Sequence, residues 1–147
     1  MPLFDTTVDD SLTPPSGPGP DFNPTHTTGV ESYWLKTGTF VSQQHKTSGT
    51  ARVVRPPGQS LRRLELVDLD TESGPDLRVW LSDQDVTAAR SGWRVFDTGR
   101  RVELGQLKGN KGNQTYEIPG SADLTGLRSV TIWSGRFSVS YGAAALS

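Results

Sequence analysis

The sequence has 147 residues, 33% of them hydrophobic, and a formal charge of −1 from 15 basic and 16 acidic side chains. That length bounds one domain of ordinary size, and the absence of cysteine excludes disulfides, thiolate nucleophiles and cysteine-ligated metal or iron–sulfur centres. The 16 Gly and 10 Pro favour short strands joined by turns over long helices.

The charge is unevenly placed. Asp5, Asp9, Asp10, Asp21 and Glu31 precede Tyr33 with no Lys or Arg among them, so the first 32 residues carry −5 and the remainder +4. A positive charge dispersed over strands and loops is not a nucleic-acid footprint, which takes a basic stripe interleaved with stacking aromatics. Membrane spans need about 20 consecutive apolar residues, and the sequence holds no such stretch. Its first residues have neither the basic n-region nor the apolar h-region of a signal peptide.

In chain order, residues 1–32 read as a Pro/Gly-rich linker or arm. Pro14, Pro15, Pro18, Pro20 and Pro24 fix φ and remove backbone donors, so extended chain mostly without regular structure is expected. Leu3, Phe4, Val8 and Leu12 offer apolar groups by which the arm could latch onto the domain. From Tyr33 the apolar pattern has period two, and residues 33–147 read as one β domain. Leu64 and Leu66 share a face, with Arg63, Glu65 and Val67 on the other; Leu77, Val79 and Leu81 alternate with Arg78, Trp80 and Ser82. Val130 and Ile132 alternate with Thr131 and Trp133, and Phe137, Val139 and Tyr141 with Ser138 and Ser140. Strands are expected near 34–41, 49–55, 60–68, 76–82, 101–107, 114–118, 128–133 and 136–146. The fold class is therefore all-β, an antiparallel β-sandwich or flattened barrel of about eight strands. Ser73-Gly74-Pro75-Asp76 and Gly109-Asn110-Lys111-Gly112 carry turn chemistry, and Ser134-Gly135 reads as a two-residue hairpin turn. Ser82 or Asp83 is placed to cap a short helical connection through Val86, Ala88 and Ala89, ended by Gly92.

Few constellations carry chemistry. His26 and His45 are the sole histidines, so a three-histidine metal site is excluded, and no metal site is expected. Asp83-Gln84-Asp85 has the spacing of two calcium ligands without the glutamate that ends such a loop. No Gly-x-Ser-x-Gly elbow, Walker loop or dinucleotide fingerprint occurs, and no catalytic residue is assigned. Trp80 and Trp133 fall on the polar side of their alternating strands. Either those strands are buried on both faces, or the rings form an outward surface for a planar ligand, a sugar or a protein partner.

One set of motifs resembles a known family. Gly38-x-Phe40, His45, Ser48-Gly49, Leu64-x-Leu66 and Gly74-Pro75-Asp76-Leu77-x-Val79-x-Leu81 come first. Leu104-Gly105-x-Leu107-Lys108-Gly109-Asn110-x-Gly112-x-Gln114-x-Tyr116-x-Ile118-Pro119 follows, then Val130-x-Ile132-Trp133 with Phe137-x-Val139-x-Tyr141. In this order they resemble the electron-transfer DM-thirteen domain. The resemblance implies an extracytoplasmic β-sandwich-like module at the cell envelope, with an unknown protein or redox partner and no nucleic acid. It implies membrane contact through an anchor preceding Pro2; Phe4-Asp5-Thr6-Thr7-Val8-Asp9 looks like the juxtamembrane start of actinobacterial relatives. The family carries a cysteine directly after the Ile-Trp pair, where this chain has Ser134. Ser134 is thus the candidate redox position, with His45, Asp76, Lys108 and Trp133 as candidate neighbours. Serine has neither a reachable thiolate nor useful affinity for haem iron. No cofactor is expected with Ser134; haem or another redox group is expected only with cysteine restored. Ser134 has two readings, a deliberate exchange of a lone thiol or a natural variant that kept the scaffold. The alternative function is a non-catalytic glycan- or protein-binding module of the cell surface.

Overall fold

Period-two alternation with turns about every ten residues folds here as one long, curled sheet. The computed structural model describes residues 5–18, 30–87 and 90–147. Its strands are β1 (Thr7–Asp9), β2 (Ser16–Pro18), β3 (Val30–Ser32), β4 (Trp34–Ser42), β5 (Ser48–Val54) and β6 (Arg63–Asp70). They continue as β7 (Leu77–Ser82), β8 (Arg101–Gln106), β9 (Lys111–Glu117), β10 (Ser129–Ser134) and β11 (Val139–Ala145). Nine of them form a sheet in the order β1-β9-β6-β5-β4-β11-β10-β7-β8, while β2 and β3 form a separate pair among the described residues. Pairing is antiparallel except for β1, which runs parallel to β9. The eight strands expected from the sequence correspond to β4–β11, and the arm contributes the parallel edge strand.

Connectivity forces the curl. β8 and β9 are consecutive in the chain yet seven strand spacings apart in the sheet order. In a flat sheet that separation is about 34 Å at ~4.8 Å per strand. Residues 107–110 join them, and such a link spans about 18 Å at full extension. The sheet therefore folds over until its two ends face each other, which gives the sandwich-like, flattened half-barrel.

The main core lies inside this fold: Phe40, Val53, Leu64, Leu66, Val79, Leu81, Tyr116, Ile118, Val130 and Ile132 pack there. A second cluster sits on the opposite face of β7, β10 and β11. Trp80 and Trp133 stack at 4.7 Å between centroids and 20° between planes, with Phe96 edge-on to Trp133 at 6.5 Å. The connection between β7 and β8, with 3-10 turns at Arg90–Gly92 and Val95–Asp97, brings Phe96 over these rings. β10 is consequently buried along its whole length, as a strand covered on both faces must be. The outward aromatic surface is not formed by Trp80 and Trp133, which are 6% and 2% exposed.

Two local expectations are corrected. Ser134-Gly135 is not a two-residue turn. Ser134 still pairs with Leu77 and Val139, and the turn is Gly135–Ser138, closed by the Ser138 N–H on the Ser134 carbonyl at 2.8 Å. Ser138 takes φ 52°, so β11 starts at Val139 and Phe137 is exposed. The helical connection is replaced, among the described residues, by the two 3-10 turns. The Ser82 hydroxyl does accept the Gln84 N–H at 3.0 Å, while Ala88 and Ala89 lie outside the described residues.

Candidate functional site

β10 brings Ser134 to the end of the main core, in register with Leu77 of β7. Alternation places it on the same face as Val130 and Ile132, opposite to Trp133. Its side chain is fully buried. The hydroxyl donates to the Pro75 carbonyl at 3.2 Å and accepts the Phe137 N–H at 3.2 Å. One small group thus ties two turns together, 73–76 and 135–138.

Asp76 belongs to the first of those turns and stands beside position 134: its carbonyl accepts the Gly135 N–H at 2.9 Å. It adopts φ 53°, a left-handed conformation tolerated by aspartate better than by most residues. Its carboxylate binds the Arg78 Nε at 2.9 Å, and Arg78 reaches Glu103 at 3.0 Å. Glu103, then Asp76, raise the proton affinity of the guanidinium. Glu103 is held below the ordinary carboxylate range first by the Trp80 indole N–H and then by Arg78. Arg78 and Glu103 escaped the sequence reading because each looks like an ordinary outward residue; only the β7–β8 register brings them together.

Lys108 faces the same cavity as Asp76. The cavity holds about 260 Å³, and Thr6, Ser73, Gly74 and Asn110 also line it. The Lys108 ammonium pairs with Asp10 of the arm at 2.8 Å, and its backbone N–H donates to the Tyr116 hydroxyl at 2.8 Å. His45 reaches this end of the molecule through Tyr141. The two rings lie 4.0 Å apart, and a Cβ at Gly74 would stand 2.2 Å from the Tyr141 hydroxyl. The His45 backbone N–H donates to the Tyr141 carbonyl at 3.2 Å. Trp133 points away into the aromatic cluster. The fold therefore joins Ser134 to Asp76, sets Asp76 and Lys108 around one cavity, relays His45 through Tyr141, and separates Trp133.

Haem does not fit these residues. Position 134 has no space beside it for a porphyrin, because its side chain is sealed by Pro75 and the Phe137 turn. The adjoining cavity, at about 260 Å³, is below the roughly 300–1,000 Å³ of typical cofactor pockets. Its lining holds no His, Met, Cys or Tyr to act as axial ligand. Among the described residues no group of three His, Asp or Glu is placed to hold a metal ion. Asp83 and Asp85 go separate ways: Asp83 accepts from the Gln84 side chain at 3.0 Å and Asp85 pairs with Arg128 at 3.3 Å. His26 lies outside the described residues.

Residues 39–146 match the family model described as Electron transfer DM13. No curated protein and no solved structure matches the chain significantly. The matched span begins within β4, ends just beyond β11, and includes Asp76, Lys108 and Ser134 together with both aromatic and aliphatic cores. It covers well over half of the sequence, and the chain therefore belongs to the electron-transfer DM13 family.

Proposed function

We propose that this chain is an extracytoplasmic module, tethered to a membrane by sequence preceding the arm, whose role in electron transfer centres on position 134. The observation that carries the reading is the family match across residues 39–146. By resemblance, cysteine belongs where Ser134 stands. The surroundings of the hydroxyl support a thiol at that position. A cysteine sulfur there would meet the Phe137 N–H, which favours thiolate, while full burial opposes it. A thiol in this place becomes reactive only when one of its two flanking turns opens. That makes thiol oxidation or exchange, gated by the 135–138 turn, the chemistry best suited to the site. In the serine form the position serves as a tie between turns, and the chain depends on its partners for any redox group.

The test compares the protein with its Ser134→Cys form under native conditions. The cysteine form should take up one equivalent of a thiol reagent slowly and form a mixed disulfide with oxidised glutathione that dithiothreitol reverses. A cysteine form inert to both in the folded state would remove position 134 from the redox reading. For localisation, the parent reading frame should encode an apolar helix ahead of Pro2; a cytosolic reading frame without one would overturn the tether.

A further inference from the structure

Glu65 is wholly buried although it alternates with Leu64 and Leu66, both of the main core, and so occupies the outer face of β6. What covers it is the arm, where Thr13 is 6% exposed. One Glu65 oxygen accepts the Arg52 Nε at 2.9 Å, and the other accepts the Thr13 backbone N–H at 2.9 Å. The Thr13 carbonyl accepts the Trp34 indole N–H at 2.8 Å and the Arg52 Nη2 at 3.4 Å. The Arg52 guanidinium carbon lies over the Trp34 ring, 4.0 Å from its centroid. Both polar groups of one peptide residue are thus read by three side chains from three neighbouring strands. Burying an ion pair costs desolvation unless its remaining hydrogen-bonding capacity is used, and here the arm backbone uses it.

The edge of β9 is shaped for the same segment. β1 adds to it in parallel, Thr7 against Lys111 and Asp9 against Asn113. A Cβ at Gly109 would lie 2.4 Å from the Thr6 carbonyl oxygen, and one at Gly112 would lie 2.0 Å from that of Val8. Both positions are left bare for a strand backbone. Two cations flank the edge: Lys111 pairs with Asp5 at 3.4 Å and Lys108 with Asp10 at 2.8 Å. The Asp10 carboxylate also accepts the Thr115 N–H at 3.1 Å.

We infer that the Trp34–Arg52–Glu65 clamp and the β9 edge together form a binding site for an extended acidic peptide, filled in cis by residues 5–13 and open in trans to an acidic segment of a partner protein. The contacts read main chain and two carboxylates, so recognition needs extended shape and charge more than a particular sequence. Charge complementarity supports an acidic occupant, since residues 5–13 carry three aspartates and two of them meet Lys111 and Lys108 at the β9 edge. The tethered arm competes at a high effective concentration, so the partner binds well only when the arm is loosened. The inference is independent of the chemistry at position 134.

The probe is a fluorescein-labelled peptide with the sequence of residues 5–15, titrated by anisotropy into the full chain. The full chain carrying Thr13→Pro and Asp10→Asn, which weaken the arm, should bind it at least tenfold more tightly than the unaltered chain. Added salt should reduce that affinity, and a peptide with its aspartates as asparagine should bind at least tenfold more weakly. In the unaltered chain, millimolar peptide should raise hydrogen exchange at the Thr13 amide, which keeps the test independent of the variant's folding. No rise in exchange and no tighter binding by the weakened-arm chain would overturn the site. A dimer that the peptide dissolves would overturn the partner reading in favour of arm exchange between copies.

Discussion

Arg52 and Glu65 face each other across β5 and β6 and meet at 2.9 Å, with the carboxylate fully shielded from water. Removing one partner leaves the other charged and buried. Glu65→Ala is expected to cost about 3–5 kcal/mol. Arg52→Met with Glu65→Leu should cost less, chiefly about 1–3 kcal/mol from the Thr13 amide left without an acceptor. Urea unfolding of both single variants and the double variant decides this; a double-variant loss equal to the sum of the two single losses would show that the pair is uncoupled.

Gly112 is glycine for two reasons, a φ of 98° and the Val8 backbone against its Cα. Gly112→Ala should lose about 1–3 kcal/mol from strain and release β1. Gly105 has φ 125° with open space around it, so Gly105→Ala should cost strain alone. Hydrogen exchange of residues 5–10 separates them: fast in the first variant, protected in the second. Protection in both would show that the arm does not depend on the bare β9 edge.

Acid should undock the arm before it unfolds the domain. Asp10 is held below its ordinary value of 3.8 by Lys108 first and the Thr115 N–H next, and Asp5 below 3.8 by Asn110 and then Lys111. Depressed carboxylates contribute stability that is present above 3.8 and lost as pH falls through the lowered values. Both side chains are partly solvated, so the effect is modest and salt-sensitive. Exchange protection at residues 5–10 should fall below pH 3.8 while that of β10 persists. Simultaneous loss at both would refute separate undocking.

Alkali should act through Tyr116, whose hydroxyl burial pushes up from 10.0 to about 12. A raised value contributes stability that is fully present below pH 10.0 and lost as pH rises toward about 12. Two units correspond to about 2–3 kcal/mol at the upper end. Tyr116→Phe should be less stable at neutral pH, because the Lys108 N–H and Gln114 lose their partner, yet flatter between pH 10.0 and 12. Parallel pH profiles for the two proteins would contradict this.

The aromatic cluster should behave as core. Phe96 is fully buried against Trp133, so Phe96→Ala should cost about 3–5 kcal/mol. It should also red-shift the tryptophan emission as water reaches the stacked pair. A change within about 0.5 kcal/mol and an unshifted spectrum would mean that the loop does not seal these rings.

The strands were legible because alternation is local: Leu77, Val79 and Leu81 announce β7, and Val130 and Ile132 announce β10. The second core was not, because the reading that puts Trp80 and Trp133 on a solvent face holds only if nothing packs there. Phe96 does, and it comes from a connection with no period of its own. The burial of Glu65 was not legible for the same reason, since its cover is an arm about fifty residues earlier in the chain. At the candidate site, the family resemblance marked Asp76 and Lys108, and alternation along β10 set Trp133 opposite Ser134, but nothing local links Asp76 or Lys108 to Ser134.

The sequence by itself determined the fold class, the family and the position of Ser134, since these rest on periodicity, turn residues and motif order along the chain. Tertiary structure decided the sheet order, the parallel docking of the arm, the sealing of Ser134 between two turns and the burial of Arg52 with Glu65. Each of these is a contact between distant segments, set by how a short β8–β9 link forces a long sheet to curl and by which backbone then covers which polar side chain.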